Sequence, residues 1–128
     1  MNLKKVILPF LVLCMFFTAG SLTAMSPFAE EDFNEAINND KLVLLDFHAS
    51  WCGTCKAQEK PLKALLSEEF FSDVVAFRVD YDNSAELKNQ YNVQRQSTLV
   101  LLRGEEELSR SMGVTNKDEL RSFLKKGL

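Results

Sequence analysis

Cysteine is scarce in this chain, with three copies, and histidine and tryptophan occur once each. So few thiols exclude a disulfide-stapled scaffold. So few soft ligands leave a closed metal cluster, which wants about four, short of donors. Proline and glycine are also sparse, at 3 and 5, while 46% of residues are apolar. That balance argues against disorder and for a packed core. There is no excess of positive charge, since 15 Lys+Arg stand against 18 Asp+Glu for a net charge of -3. With basic pairs only at Lys4-Lys5 and Lys125-Lys126, nucleic acid is excluded as an expected partner. A length of 128 residues leaves room for one ordinary domain.

Long apolar runs are missing too, with one exception at the start. Lys4 and Lys5 precede an uncharged, almost wholly apolar run over residues 6–17, and residues 18–24 turn small and polar. That three-part layout predicts a signal peptide over residues 1–24, cut after Ala24 or alternatively after Ser21. If it is retained, residues 6–25 are just long enough to serve as a membrane anchor. Cys14 follows the bulky Leu13, which disfavours lipid modification and leaves it as leader filler. The folded domain is therefore expected over residues 25–128, exported, most simply to a bacterial periplasm where disulfides persist. It retains only Cys52 and Cys55.

Within that domain, Ser26-Pro27 ahead of Glu30, Glu31 and Asp32 reads as the capped start of a helix ending near Asn38-Asn39. The run LVLLDF at 42–47 predicts a strand buried on both faces. From Cys52 to about Phe71 the pattern is helical, with Leu62, Leu65, Leu66 and Phe70 on one stripe and Pro61 kinking the interior. Further strands are predicted at 74–79, 98–102 and 107–112, the last two joined by a turn at Arg103-Gly104-Glu105. Asn83 or Ser84 caps a short helix to Tyr91. Thr115 caps a last helix, with Asp118 as capping-box partner and Leu120, Phe123 and Leu124 buried. The order α-β-α-β-α-β-β-α predicts an α/β fold: a three-layer sandwich whose central mixed sheet is flanked by helices.

Chemistry concentrates at Trp51-Cys52-Gly53-Thr54-Cys55-Lys56, where a buried strand hands over to a helix. Cys52 then falls at a helix N-terminus, where unpaired N–H groups and the helix dipole favour an anion such as a thiolate. Such settings lower a thiol from about 8.5 to roughly 3.5–7.5. Two intervening residues bring Cys55 onto the inner side of the first turn, close enough to bridge to Cys52. The expectation is an exposed attacking sulfur and a shielded resolving one.

The segment Asp46-Phe47-His48-Ala49-Ser50-Trp51-Cys52-Gly53-Thr54-Cys55-Lys56 resembles the active-site segment of the thioredoxin family. Further similarity follows in order at Phe77-Arg78-Val79-Asp80-Tyr81-Asp82, Tyr91-Asn92-Val93, Ser97-Thr98-Leu99 and Met112-Gly113-Val114. The resemblance extends from about Phe28 to the end and implies a thioredoxin-like fold. It implies that Asp46 is a buried acid that takes the proton from Cys55 through a water, with Arg78 beside it where the family commonly has lysine. Gln96, Ser97 and Thr98 would form the substrate-docking loop, and Trp51 part of the docking surface. His48 is expected to pack where the family often has tryptophan, and Glu59 to lie on a solvated helix face. The Cys52, Lys56, Glu59 and Lys60 run resembles exported relatives that receive electrons from a membrane transporter. Two departures are evident. Pro61 comes six residues after Cys55 rather than five, and Ser97 stands where the family has a cis proline. A cis bond before a non-proline residue costs about 3–4 kcal/mol, so Gln96–Ser97 is predicted to be trans, which re-aims the docking groups.

The leading expectation is a thiol-disulfide oxidoreductase acting on protein disulfides or dithiols, with no metal or organic cofactor. Because Gly53-Thr54 lacks an intervening histidine, reduction is favoured over oxidation, and a membrane electron donor would then recharge the pair. Two alternatives stand beside it: a metal-binding protein using Cys52 and Cys55, and a redox-silent binding module.

Overall fold

The computed structural model describes residues 24–128. The expected leader lies outside the described residues except for Ala24. The chain forms β1 (Ser26–Pro27), α1 (Glu30–Asn38), β2 (Leu42–His48), α2 (Gly53–Leu66), a 3-10 turn (Glu69–Phe71) and β3 (Val74–Asp80). It continues through α3 (Ala85–Gln90), β4 (Thr98–Arg103), β5 (Glu106–Met112), α4 (Lys117–Leu124) and a final 3-10 turn (Lys125–Gly127). None of the described helices is long and apolar enough to cross a membrane.

The sheet order is β1-β3-β2-β4-β5. The first three neighbours run parallel, whereas β4 is antiparallel to both β2 and β5. The predicted mixed sheet is therefore present. Alternation along β2 divides its side chains between two cores. Leu42 and Leu44 join Leu62 and Leu65 of α2 and Leu120 and Leu124 of α4 on one face. Val43, Leu45 and Phe47 join Phe33 and Ala36 of α1 on the other. Asp46 shares the parity of Leu42 and Leu44, so the strand carries a carboxylate into the face covered by α2.

Three local expectations are corrected, and a fourth, the α3 cap, is met in position only. Ser26-Pro27 does not cap α1 but forms the edge strand, paired with Phe77 and Arg78 of β3. A proline is tolerated there because an edge strand needs no second row of donors. Ala29 takes the α1 cap position without a side-chain bond, leaving Glu30, Glu31 and Asp32 to favour the helix dipole. The helix opened by Cys52 runs unbroken through Pro61 but ends at Leu66 rather than near Phe71, and Ser67 follows it. The intervening 3-10 turn rotates the stripe, so Phe71 is 1% exposed while Phe70 is 59% exposed. Ser84 holds the α3 cap position without a side-chain bond, while Asn83 instead donates to Asp80. At α4 the cap is Asn116, not Thr115, its Oδ1 accepting from Asp118 N–H at 2.9 Å and Glu119 N–H at 3.1 Å.

Candidate active site

β2 delivers the chain to the end of the sheet, and Ala49, Ser50 and Trp51 turn it into α2. Cys52 is the N-cap of that helix, in extended conformation, and its sulfur accepts from the Cys55 N–H at 3.1 Å. An N-cap acceptor satisfies a donor that the helix leaves unpaired, and sulfur here takes the place usually held by an oxygen. Both thiols are free. Cys52 is 4% and Cys55 1% exposed, so the expected contrast survives in rank only, with both sulfurs largely covered.

The cover includes Ser97. Its hydroxyl lies 3.3 Å from Cys52 Sγ and 2.9 Å from Cys55 Sγ, although the residues are 45 and 42 positions apart. All peptide bonds among the described residues are trans, as expected for Gln96–Ser97. Ser97 adopts φ 60, the left-handed region that a residue with a Cβ seldom occupies. Its N–H donates to Phe47 C=O at 2.9 Å, and its C=O accepts from Gly113 N–H at 3.0 Å. Gly113 turns at φ 69, a conformation suited to glycine. Gln58 of α2 secures the same turn by donating from Nε2 to Val114 C=O at 2.8 Å. Ser97 thus has no free backbone pair to offer an incoming strand. Ser97 keeps its expected place beside the cysteine pair, but with its main chain engaged by the fold. Gln96 is half-buried beside it, and Thr98 starts β4 with its hydroxyl on Arg95 C=O at 2.6 Å.

Burial pushes the Cys52 thiol up, but hydrogen bonds from Cys55, Ser97 and the Cys55 and Thr54 amides outweigh it and leave Cys52 below its ordinary value. Cys55 moves the other way, raised by burial and by its neighbour Cys52. The two sulfurs are thereby driven apart in acidity.

Asp46 is 2% exposed. Burial raises its carboxyl to about 6 against the pull of Arg78. The Arg78 guanidinium approaches it at 3.6 Å but also reaches Glu59 Oε1 at 3.2 Å, and Glu59 takes Lys63 at 2.6 Å. The Asp46–Arg78 contact is as expected, whereas Glu59 is no bystander on a solvated face. His48 is half-buried and held below its ordinary value by burial and by Arg78, and its charged neighbours are Arg78, Glu59, Lys63 and Asp80.

Trp51 is 60% exposed beside the cysteines and donates from Nε1 to Asp82 Oδ2 at 2.8 Å. Gly53 and Thr54 are exposed on the first turn of α2, and a Cβ at Gly53 would meet nothing within 4 Å. Among the described residues no group of three or more His, Cys, Asp or Glu side chains is gathered to hold a metal ion. Sequence reading missed the Ser97 hydroxyl, Glu59 and Asp82 as parts of this site. The polar residue in place of proline was the available signal for the first.

The chain belongs to the thioredoxin family, whose model, described as Thioredoxin, matches residues 24–126. It is 45% identical over 83 residues to Thioredoxin H2-1 of Oryza sativa subsp. japonica, a match covering 65% of this chain and 58% of the relative. The chain thus spans little more than half of that protein. It is 38% identical over 98 residues to a thioredoxin of Chlamydia trachomatis, covering 77% of this chain and 93% of that one. The solved structure of Trxlp from Edwardsiella tarda EIB202 superposes with a TM-score of 0.75 at 35% identity, covering 78% of this chain and 97% of that chain.

Proposed function

We propose that the protein is a thiol-disulfide oxidoreductase that reduces disulfides in exported proteins. One observation carries this reading: Cys52 is a helix N-cap whose sulfur accepts the Cys55 N–H at 3.1 Å. That places a stabilised thiolate next to a second thiol on the same turn. The Cys52 thiolate attacks a target disulfide, a mixed disulfide forms, and Cys55 displaces the reduced product. Asp46, with its carboxyl near neutrality at about 6, takes the Cys55 proton in the second step. Trp51 offers an apolar surface beside the nucleophile. Gly53-Thr54 supplies no imidazole to favour the thiolate further, which supports reduction as the working direction.

The export and electron-supply parts of the proposal rest on the leader at residues 1–24, and its alternative is a retained anchor over residues 6–25. A reductase in an oxidising compartment needs an outside source of electrons, so a membrane donor is the partner that fits. Insulin disulfide reduction by the protein, with Cys52→Ser as the inactive control, tests the activity. A reduction potential near about -270 mV supports the reducing direction, whereas one near about -120 mV reverses it. The N-terminal residue of the protein recovered from a secreting host tests the leader.

A further inference from the structure

Ser97 belongs to the docking loop by its place in the chain, yet its side chain is committed to the sulfurs. Among the described residues it is the only side chain, besides the cysteines, in hydrogen-bond contact with either sulfur. Its orientation is fixed from several sides: N–H on Phe47, C=O on Gly113, and 2% exposure. A serine is held at φ 60 although glycine would occupy that conformation with less strain. The side chain is what glycine would not provide.

A hydroxyl has one proton to donate and two lone pairs with which to accept. It serves one thiolate at a time while accepting from a neighbouring thiol. We infer that Ser97 is a catalytic hydroxyl that gives its single hydrogen bond to whichever sulfur is acting as nucleophile, first Cys52 and then Cys55. The inference rests on the dithiol chemistry proposed above and adds a component to it.

In the resting dithiol, the Ser97 O–H donates to the Cys52 thiolate, and the Cys55 S–H is shared between that thiolate and the Ser97 oxygen. Attack on a substrate R–S–S–R′ forms Cys52–S–S–R, breaks the substrate S–S bond and releases R′–S⁻, which takes a proton from solvent. The Cys52 sulfur is now uncharged, and the Ser97 O–H turns about its Cβ–Oγ bond toward Cys55. Only the hydrogen has to move, because both sulfurs already lie within reach of the oxygen. Cys55 gives its proton to Asp46, and the new thiolate receives the Ser97 hydrogen bond. Cys55 then attacks Cys52 Sγ, forming the intramolecular disulfide and expelling R–S⁻, which is protonated in turn. Two electrons pass from the cysteine pair to the substrate.

The test uses Ser97→Gly, which suits the positive φ, and Ser97→Ala as a second variant without the hydroxyl. Ultraviolet thiolate titration of the reduced proteins is expected to place the Cys52 midpoint about one unit higher in both, a tenfold loss of thiolate below it. Rapid mixing with dithiobis(nitrobenzoate) separates the two steps, since Cys52 releases the first coloured thiolate and Cys55 the second. Tenfold less thiolate, partly offset by greater nucleophilicity, should slow each phase about threefold at a pH below the midpoints. An unchanged midpoint, or slowing confined to one phase, overturns the inference. So does a higher KM for a protein disulfide with both small-disulfide phases unaltered, which would mark a docking residue. If the wild type itself releases one equivalent and never bridges Cys52 to Cys55, the dithiol reading fails first.

Discussion

Asp46 and Arg78 are register partners on neighbouring parallel strands, and Arg78 Nη2 stands 3.6 Å from Asp46 Oδ2. The pairing is partial. Arg78 divides its charge with Glu59, and Asp46 Oδ1 is buried without a hydrogen-bond partner. Desolvation therefore outweighs the ion pair, and the carboxyl rests at about 6 instead of 3.8.

That shift makes Asp46 a pH-dependent burden on the fold. Its folded pKa lies above its unfolded one, so between 3.8 and about 6 the native state holds more protons. The associated stability is complete at the acid end and is lost as pH rises through about 6. Asp46→Asn should thus gain up to about 3 kcal/mol over the wild type at neutral pH and far less near pH 4, while slowing release of the second product. Urea denaturation at the two pH values checks this, and an equal gain at both would contradict it.

Glu59 and Arg78 act on Asp46 with opposite signs, since the Glu59 charge raises the carboxyl and Arg78 lowers it. Glu59→Gln should bring the Asp46 midpoint below 6, and Arg78→Met should take it higher. Carboxyl-carbon NMR titration reads both, and movement in one common direction would refute the competition for Arg78.

The acidity difference between the cysteines predicts which sulfur is alkylated first. Cys52 should react with iodoacetamide at a lower midpoint than an ordinary thiol, and Cys55 only at higher pH. Peptide mapping across a pH series gives the answer. Cys55→Ser should also accumulate a mixed disulfide on Cys52, visible on a non-reducing gel, and its absence would count against the assigned order of attack.

The α4 cap offers a test independent of the chemistry. Asn116→Ala should cost about 1 kcal/mol in thermal or urea unfolding, while Thr115→Ala should cost little. The reverse order would restore Thr115 as the cap.

The sheet strands and helix stripes were legible because each depends on spacing within one segment. LVLLDF reads as a doubly buried strand from its own composition, and Leu120, Phe123 and Leu124 mark their helix face without reference to any neighbour. Caps and edges were less legible. Ser26-Pro27 looks like a helix start in isolation, and only pairing with Phe77 and Arg78 makes it a strand. Phe70 and Phe71 are equivalent in hydropathy, so the turn after Leu66 had to determine which one is buried.

The same division runs through the site. Cys52 and Cys55 sit three residues apart, so helix geometry alone brings them together and puts one at the N-terminus. Asp46 stands out because a carboxylate inside an apolar strand is costly wherever that strand lies. The Ser97 hydroxyl and the sharing of Arg78 between Asp46 and Glu59 involve partners distant in the chain, joined by sheet register and loop closure. Short-range periodicity carries no information about such meetings. They come into being when the layers pack, and with them come the depth of both sulfurs and the acidity of the buried carboxyl.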